Sequence, residues 1–114
     1  MSNITETTRD QNDHFRQGGT EVPGRIVVTQ GIQGLLIEAE LEMSDIIQAV
    51  QQFDSFSEEN DPHGEHDFAQ FDFHDASCYW KIDYYDPTLS FGSNDPSDLT
   101  QTMRVLTIML AVEY

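Results

Sequence analysis

Two histidines three positions apart, His63 and His66, stand beside Asp61, Glu65 and Asp67. Imidazoles with carboxylates are the ligand types of zinc and of catalytic divalent ions. A metal-dependent enzyme built on Glu65, His66 and Asp67 is the chemistry these types allow. The spacing argues less for it. His63-x-x-His66 spans the turn signal Asp61-Pro62-His63-Gly64 and the start of a strand pattern, so it does not by itself aim both rings at one point. The plain alternative is a turn in which His66 and Asp67 make structural hydrogen bonds. No residue is assigned a catalytic role, and no metal or cofactor is assigned.

Other chemistries fail on their spacing. Asp54 and Glu65 are the first and last of twelve positions, as in a calcium loop, but Phe56 falls on a ligand position and Glu59 on the position that demands glycine. A nuclease triplet of acid-x-Lys fails because Tyr79 precedes Trp80-Lys81. Cys78 falls on the apolar face of its strand, which argues against a nucleophile. Gly18-Gly19 is followed by no lysine and no helix suited to cradle phosphate.

The second kind of candidate is a charged surface. The chain has 21 carboxylates against five basic side chains, a formal charge of −16 over 114 residues. Nearly all of the excess lies between residues 38 and 98, where Lys81 is the only cation. Such a balance excludes bulk electrostatic binding to nucleic acid or to an anionic membrane, and it favours attraction to basic proteins. Glu38, Glu40 and Glu42 alternate with apolar residues. On a strand they would stand about 6.7 Å apart, close to two steps of about 3.4 Å along one nucleic-acid strand. Asp54, Glu58, Glu59, Asp61, Glu65, Asp72, Asp75, Asp83 and Asp86 extend the array, with Phe68, Tyr79 and Tyr85 as aromatic anchors. The competing explanation is a solvated acidic face, or adaptation to a saline cytosol.

These residues must be held by elements. Residues 1–24 read as a weakly ordered segment with a short helix near 5–17, docked by Phe15. Residues 25–114 read as one domain. Arg25–Thr29 is short and β-branched, a buried strand. Leu35–Met43 alternates Ile37, Ala39, Leu41 and Met43 against the three glutamates, which predicts a second strand in a hairpin with the first; its residues are also good helix formers. Ser44 as N-cap, then Ile46, Ile47, Val50 and Phe53, predicts a helix over about 45–53. Between Asp67 and Tyr84, two alternating runs predict a hairpin turning at Asp75-Ala76. That register pairs Phe73 with Cys78, Phe71 with Trp80, Ala69 with Ile82 and Asp67 with Tyr84. Asp95-Pro96 then reads as a helix start, and Leu99 to Val112 as a long buried C-terminal helix. The expected class is α+β, a mainly antiparallel sheet of about four strands carrying a short middle helix and that long one. One cysteine excludes an internal disulfide and fits a reducing cytosol. The polar first residues carry no apolar signal core, and no run is long enough to span a membrane.

Three stretches resemble a known family: Asn60–Phe71 (NDPHGEHDFAQF), Trp80–Asp86 (WKIDYYD) and Thr102–Tyr114 (TMRVLTIMLAVEY). The chain resembles an uncharacterised bacterial family of small acidic proteins, often borne on plasmids and phages, with NDP-x-GEHDF, WKIDYYD and RVLTIMLA-x-EY motifs. Ala69 stands where glycine is expected, and His63 where an aromatic is common. The resemblance implies no activity. It implies a mobile-element context, in which proteins opposing host restriction or CRISPR defence are frequent. Together these readings lead to the expectation of a cytoplasmic, non-enzymatic mimic of nucleic acid. It would inhibit a basic DNA- or RNA-handling protein of a bacterial defence system. A plain acidic interaction module and the metal enzyme are the rivals. Target and oligomeric state are left open.

Overall fold

In the computed structural model, which describes residues 4–114, Trp80, Leu106 and Ile108 are wholly shielded from solvent at the centre of a four-stranded sheet. The order along the chain is α1 (Ile4–Arg16), β1 (Gly24–Val28), α2 (Gln30–Glu38), α3 (Met43–Gln51), β2 (Phe68–Phe73), β3 (Ala76–Tyr85), β4 (Met103–Leu110) and a 3₁₀ turn, Ala111–Glu113. The strands lie in the order β1-β4-β3-β2, with β1 parallel to β4 and the other pairs antiparallel. The class is α+β, with a mixed sheet. All three helices pack on one face, where Phe15, Ile32, Leu36, Ile46 and Val50 meet Ala69, Cys78, Trp80, Ile82, Leu106 and Ile108. Each large side chain buried there contributes roughly 1.5–3 kcal/mol.

The C-terminal stretch is a strand, not the long helix expected. Nearly every residue from Met103 to Leu110 is apolar, so helical and strand periods fit it equally well. β-Branched Val105, Thr107 and Ile108 favour the strand, and a central strand reads as a near-continuous apolar run. The helix start expected at Asp95-Pro96 is a pair of side-chain turns. Asp95 Oδ1 accepts from Ser97 Oγ at 2.6 Å and Asp98 Oδ1 from Thr100 Oγ1 at 2.6 Å, so the two aspartates bond to local turns rather than open a helix.

Leu35–Met43 is not a strand either. Thr29 Oγ1 caps α2 by accepting from Ile32 N at 3.4 Å, and Ile32 and Leu36 share its buried side one turn apart. The helix ends in a Schellman closure: Leu41 N donates to Leu36 O at 2.8 Å and Glu40 N to Ile37 O at 3.2 Å. Glu40 takes the left-handed position with φ 58°. The alternation seen in sequence is coincidental, since Ile37 is 78% exposed. The next helix starts two residues before the one expected, with Asp45 Oδ2 accepting from Glu42 N at 2.8 Å. β1 is a half-exposed edge strand, and its partner is β4 rather than α2. Gly24 is obligatory there, because a Cβ would meet the Phe15 ring at 2.4 Å and Arg104 O at 2.8 Å.

The β2–β3 hairpin forms with its predicted inner face and a register shifted by two: Phe73 pairs with Ala76, Phe71 with Cys78 and Ala69 with Trp80. The turn is His74-Asp75, both at positive φ (48° and 64°), the two-residue type I′ geometry that matches strand twist. A shift of two preserves side-chain parity. Asp67 therefore lies beside Ile82, whose N donates to its carbonyl at 2.8 Å, rather than opposite Tyr84.

Candidate functional site

Two of the five basic side chains point inward. Arg16 and Arg104 are 1% and 0% exposed, and each organises a polar network between α1 and the sheet. On α1 the buried residues Thr8, Asn12 and Arg16 recur every four positions, so the helix docks by a polar stripe, with Phe15 beside it.

Arg16 closes the end of α3. Its Nη1 donates to Val50 O at 2.8 Å, Gln51 O at 3.2 Å and Phe53 O at 2.8 Å, taking up carbonyls the helix leaves open and sitting at its negative pole. The guanidinium lies 5.3 Å from the Trp80 ring and 5.5 Å from the Phe56 ring, and its Nη2 reaches Asp13 at 3.3 Å. Arg104, from the core face of β4, donates through Nε to Asn12 Oδ1 at 2.7 Å and through Nη2 to Gln11 Oε1 and Pro96 O, both at 3.0 Å. Asn12 Nδ2 in turn donates to Tyr84 Oη at 2.8 Å and Glu65 O at 2.9 Å. Burial lowers the pKa of both guanidinium groups; arginine starts so high that both stay charged.

His66, the most suggestive residue in the sequence, belongs to this network. Its Nδ1 meets Asp13 at 2.8 Å, and its Nε2 lies 3.5 Å from Asp61 Oδ2. Asp61 also accepts from the His66 backbone N at 3.2 Å, and the imidazole stacks on Phe56 at 3.7 Å with planes 4° apart. Both ring nitrogens thus face carboxylates, Nδ1 at hydrogen-bond distance and Nε2 in a longer contact. His63 is exposed on the turn. Among the described residues no three His, Cys, Asp or Glu side chains converge on a metal position. Glu65 and Asp67 are held above the usual carboxylate range, chiefly by burial and then by carboxylate neighbours: Asp67 acts on Glu65, and Asp61 on Asp67. Burial likewise pushes the Tyr84 phenol up. The arrangement anchors α1 to the sheet and orders the turn before β2.

The acidic array is dispersed. Glu38 ends α2, Glu40 occupies the turn and Glu42 caps α3; all three are exposed, and none has the strand spacing expected. Asp54, Glu58 and Glu59 are exposed on the loop after α3. Asp72 and Asp75 are exposed at the hairpin end, where with His74 and Ser77 they line a shallow concavity. Five acids are engaged within the fold: Asp61 and Glu65 in the network, Asp72 accepting from Gln70 Nε2 at 3.1 Å, Asp83 with Lys81 Nζ at 3.1 Å, and Asp86 accepting from Thr88 Oγ1 at 2.8 Å and Ser90 N at 3.1 Å. Phe68, Tyr79 and Tyr85 lie on the helix-free face of the sheet, which they share with Asp72 and Asp83 of the array but not with the acids around α3. Phe68 and Tyr79 stack at 5.1 Å, and Tyr114 joins them at 5.5 and 5.3 Å.

Asn12, Asp13, Arg16 and Arg104 are not among the site residues the sequence suggests, and Tyr84 figures there only as the strand partner of Asp67. The signal was a lone arginine inside an apolar run and a polar repeat of four in the first helix. No helix among the described residues is long and apolar enough to cross a membrane. No curated protein and no solved structure matches the chain. A family model matches residues 28–113, a span that carries His66, Tyr84 and Arg104 and leaves out the α1 side of the network. The chain belongs to the family described as "Protein of unknown function (DUF3768)".

Proposed function

We propose that this protein is a non-enzymatic acidic binding module that occupies the nucleic-acid-binding groove of a basic partner protein. One observation carries the reading: of the five basic side chains two are buried, and of the three that reach solvent two stand beside a carboxylate, leaving Arg25 exposed. Arg16 and Arg104 are buried, and Arg9 and Lys81 lie 3.5 and 3.1 Å from Asp10 and Asp83. Away from the sheet face that holds Arg25 and Lys81, carboxylates therefore dominate what meets solvent, and such a surface attracts basic grooves and repels nucleic acid. Six exposed acids of the array lie at the two ends of α3: Glu38, Glu40 and Glu42 before it, Asp54, Glu58 and Glu59 after it. Nine residues of helix separate the two groups by about 13 Å. Such an array competes with nucleic acid by charge rather than by imitating its spacing. The mobile-element context that the motifs imply makes a restriction or CRISPR effector in the bacterial cytoplasm the partner to try first.

The experiment is capture on the immobilised chain from bacterial lysate, followed by elution with duplex DNA and, separately, with salt. A captured nucleic-acid enzyme displaced by both supports the reading. Partners indifferent to DNA and to salt would overturn it in favour of a plain interaction module. No specific observation favours the metal-enzyme alternative: among the described residues no three His, Cys, Asp or Glu side chains converge on a metal position.

A further inference from the structure

We infer that the helix-free face of the sheet is the surface through which two copies of this chain associate. Side chains on that face form rows across the strands. One row is Val27, Thr107, Lys81 and Phe68; the next is Arg25, Val105 and Asp83. Beyond them lie Met109 and Tyr79, with the Tyr114 ring against Tyr79. The three α-helices all pack on the opposite face, and of the residues named here Met109 alone is already buried.

Charge identifies the occupant. On a chain of −16, the outward strand positions carry two cations, Arg25 and Lys81, and two anions, Asp72 and Asp83. This face is electrically balanced, and it holds two of the three basic side chains that reach solvent. A basic partner would choose the carboxylate-rich surface around α3 instead. A second copy is repelled from every other side and meets here a surface of equal positive and negative charge. That is the self-complementarity a twofold contact requires, because each patch must match itself. Four strands spaced about 4.8 Å apart and some eight residues long present on the order of 500 Å². Two such faces bury about 1,000 Å², the lower limit for a specific pair, so the association is weak and concentration-dependent.

Repulsion between the two acidic bodies opposes the pairing, and salt screens it. Added salt should therefore strengthen the dimer, whereas it weakens any charge-driven partner complex; the two readings fail separately. The test is sedimentation equilibrium of the intact chain across concentration at low salt and at about 0.5 M salt. We expect a mass that doubles with concentration, more readily in high salt. Val27→Lys and Val105→Lys should each weaken the dimer about tenfold or more at unchanged circular dichroism, while Glu58→Gln with Glu59→Gln should leave it equal or stronger. Because a strand substitution can disturb folding, a second measurement uses Thr107→Cys carrying a spin label, with Cys78 buried and unreactive. Stacked sheets lie about 10 Å apart, so strong coupling between labels on two copies is expected. A monomer under all conditions, or a dimer indifferent to both lysines and without label coupling, would overturn the inference.

Discussion

Arg104 Nε donates to Asn12 Oδ1 at 2.7 Å across 92 positions of sequence. The bond joins the first helix to the central strand in a site closed to water, and Asn12 spends its two amide protons on Tyr84 and Glu65. Removing one member strands the others, which is costlier than the net worth of any single bond.

Asn12→Ala should therefore destabilise the fold by about 3 kcal/mol, since it leaves a buried guanidinium nitrogen and two oxygen partners unsatisfied. Urea unfolding checks this. In a double-mutant cycle with Arg104→Met, the two changes should be far from additive. Additive losses would mean that the pair is not coupled.

The pH response has two parts. Burial raises Asp67 above its ordinary value, so the folded state holds a proton that the unfolded state releases. Stability falls as pH rises through the window between the two values. Asp67→Asn should raise the urea midpoint at about pH 7 and give no gain at about pH 3, where the carboxyl is protonated in both states. Glu113 is shifted the other way by Thr29 Oγ1, which donates to it at 2.6 Å, and by the Leu110 backbone N at 2.8 Å. Its contribution is present at neutral pH and lost as pH falls through its lowered value. A midpoint for Glu113→Gln that changed with acid as steeply as that of the parent would contradict this.

Three backbone positions, in two turns, invite improvement. His74 and Asp75 both sit at positive φ in the hairpin turn, where Asn-Gly is the favoured pair. Replacing His74 by Asn and Asp75 by Gly should add about 1 kcal/mol. Glu40 closes α2 at φ 58°, and Glu40→Gly should gain roughly 0.5–1 kcal/mol. Thermal unfolding reads both, and a lowered midpoint would refute the turn geometry.

For binding, Glu38→Lys, Glu40→Lys and Glu42→Lys combined leave the core untouched, because all three are exposed. Affinity for a basic partner should fall by about tenfold or more, and the slope of affinity against salt should flatten. Affinity unchanged by these reversals would remove the α2–α3 corner from the contact.

The sequence announced some of this and hid the rest for physical reasons. The inner face of the β2–β3 hairpin was legible because alternation survives a register shift of two. The helix around Ile46 and Val50 was legible because its spacing is local. β4 was misread because a run apolar on every side carries no period, and what makes it a strand is a parallel partner eighty residues earlier. Leu35–Met43 was misread because its alternation of Glu with apolar residues mimics a strand, while the Thr29 cap and the Schellman closure decide otherwise. The network around Arg104 could not be read from local pattern at all. His66 looked like a ligand because its partner Asp13 lies 53 positions away.

The placement of β4 has a consequence for how the molecule is made. It is the middle strand, hydrogen-bonded to both β1 and β3, yet it follows them and every helix in the chain. Until it is synthesised, β1 has no neighbour and the polar stripe of α1 has no guanidinium to receive it. Contacts of such long sequence separation make folding slow, and they defer it until the last strand is available. Until then the edge of β3 that β4 will occupy stays unpaired, and a charge of −16 opposes its pairing with another copy of the chain.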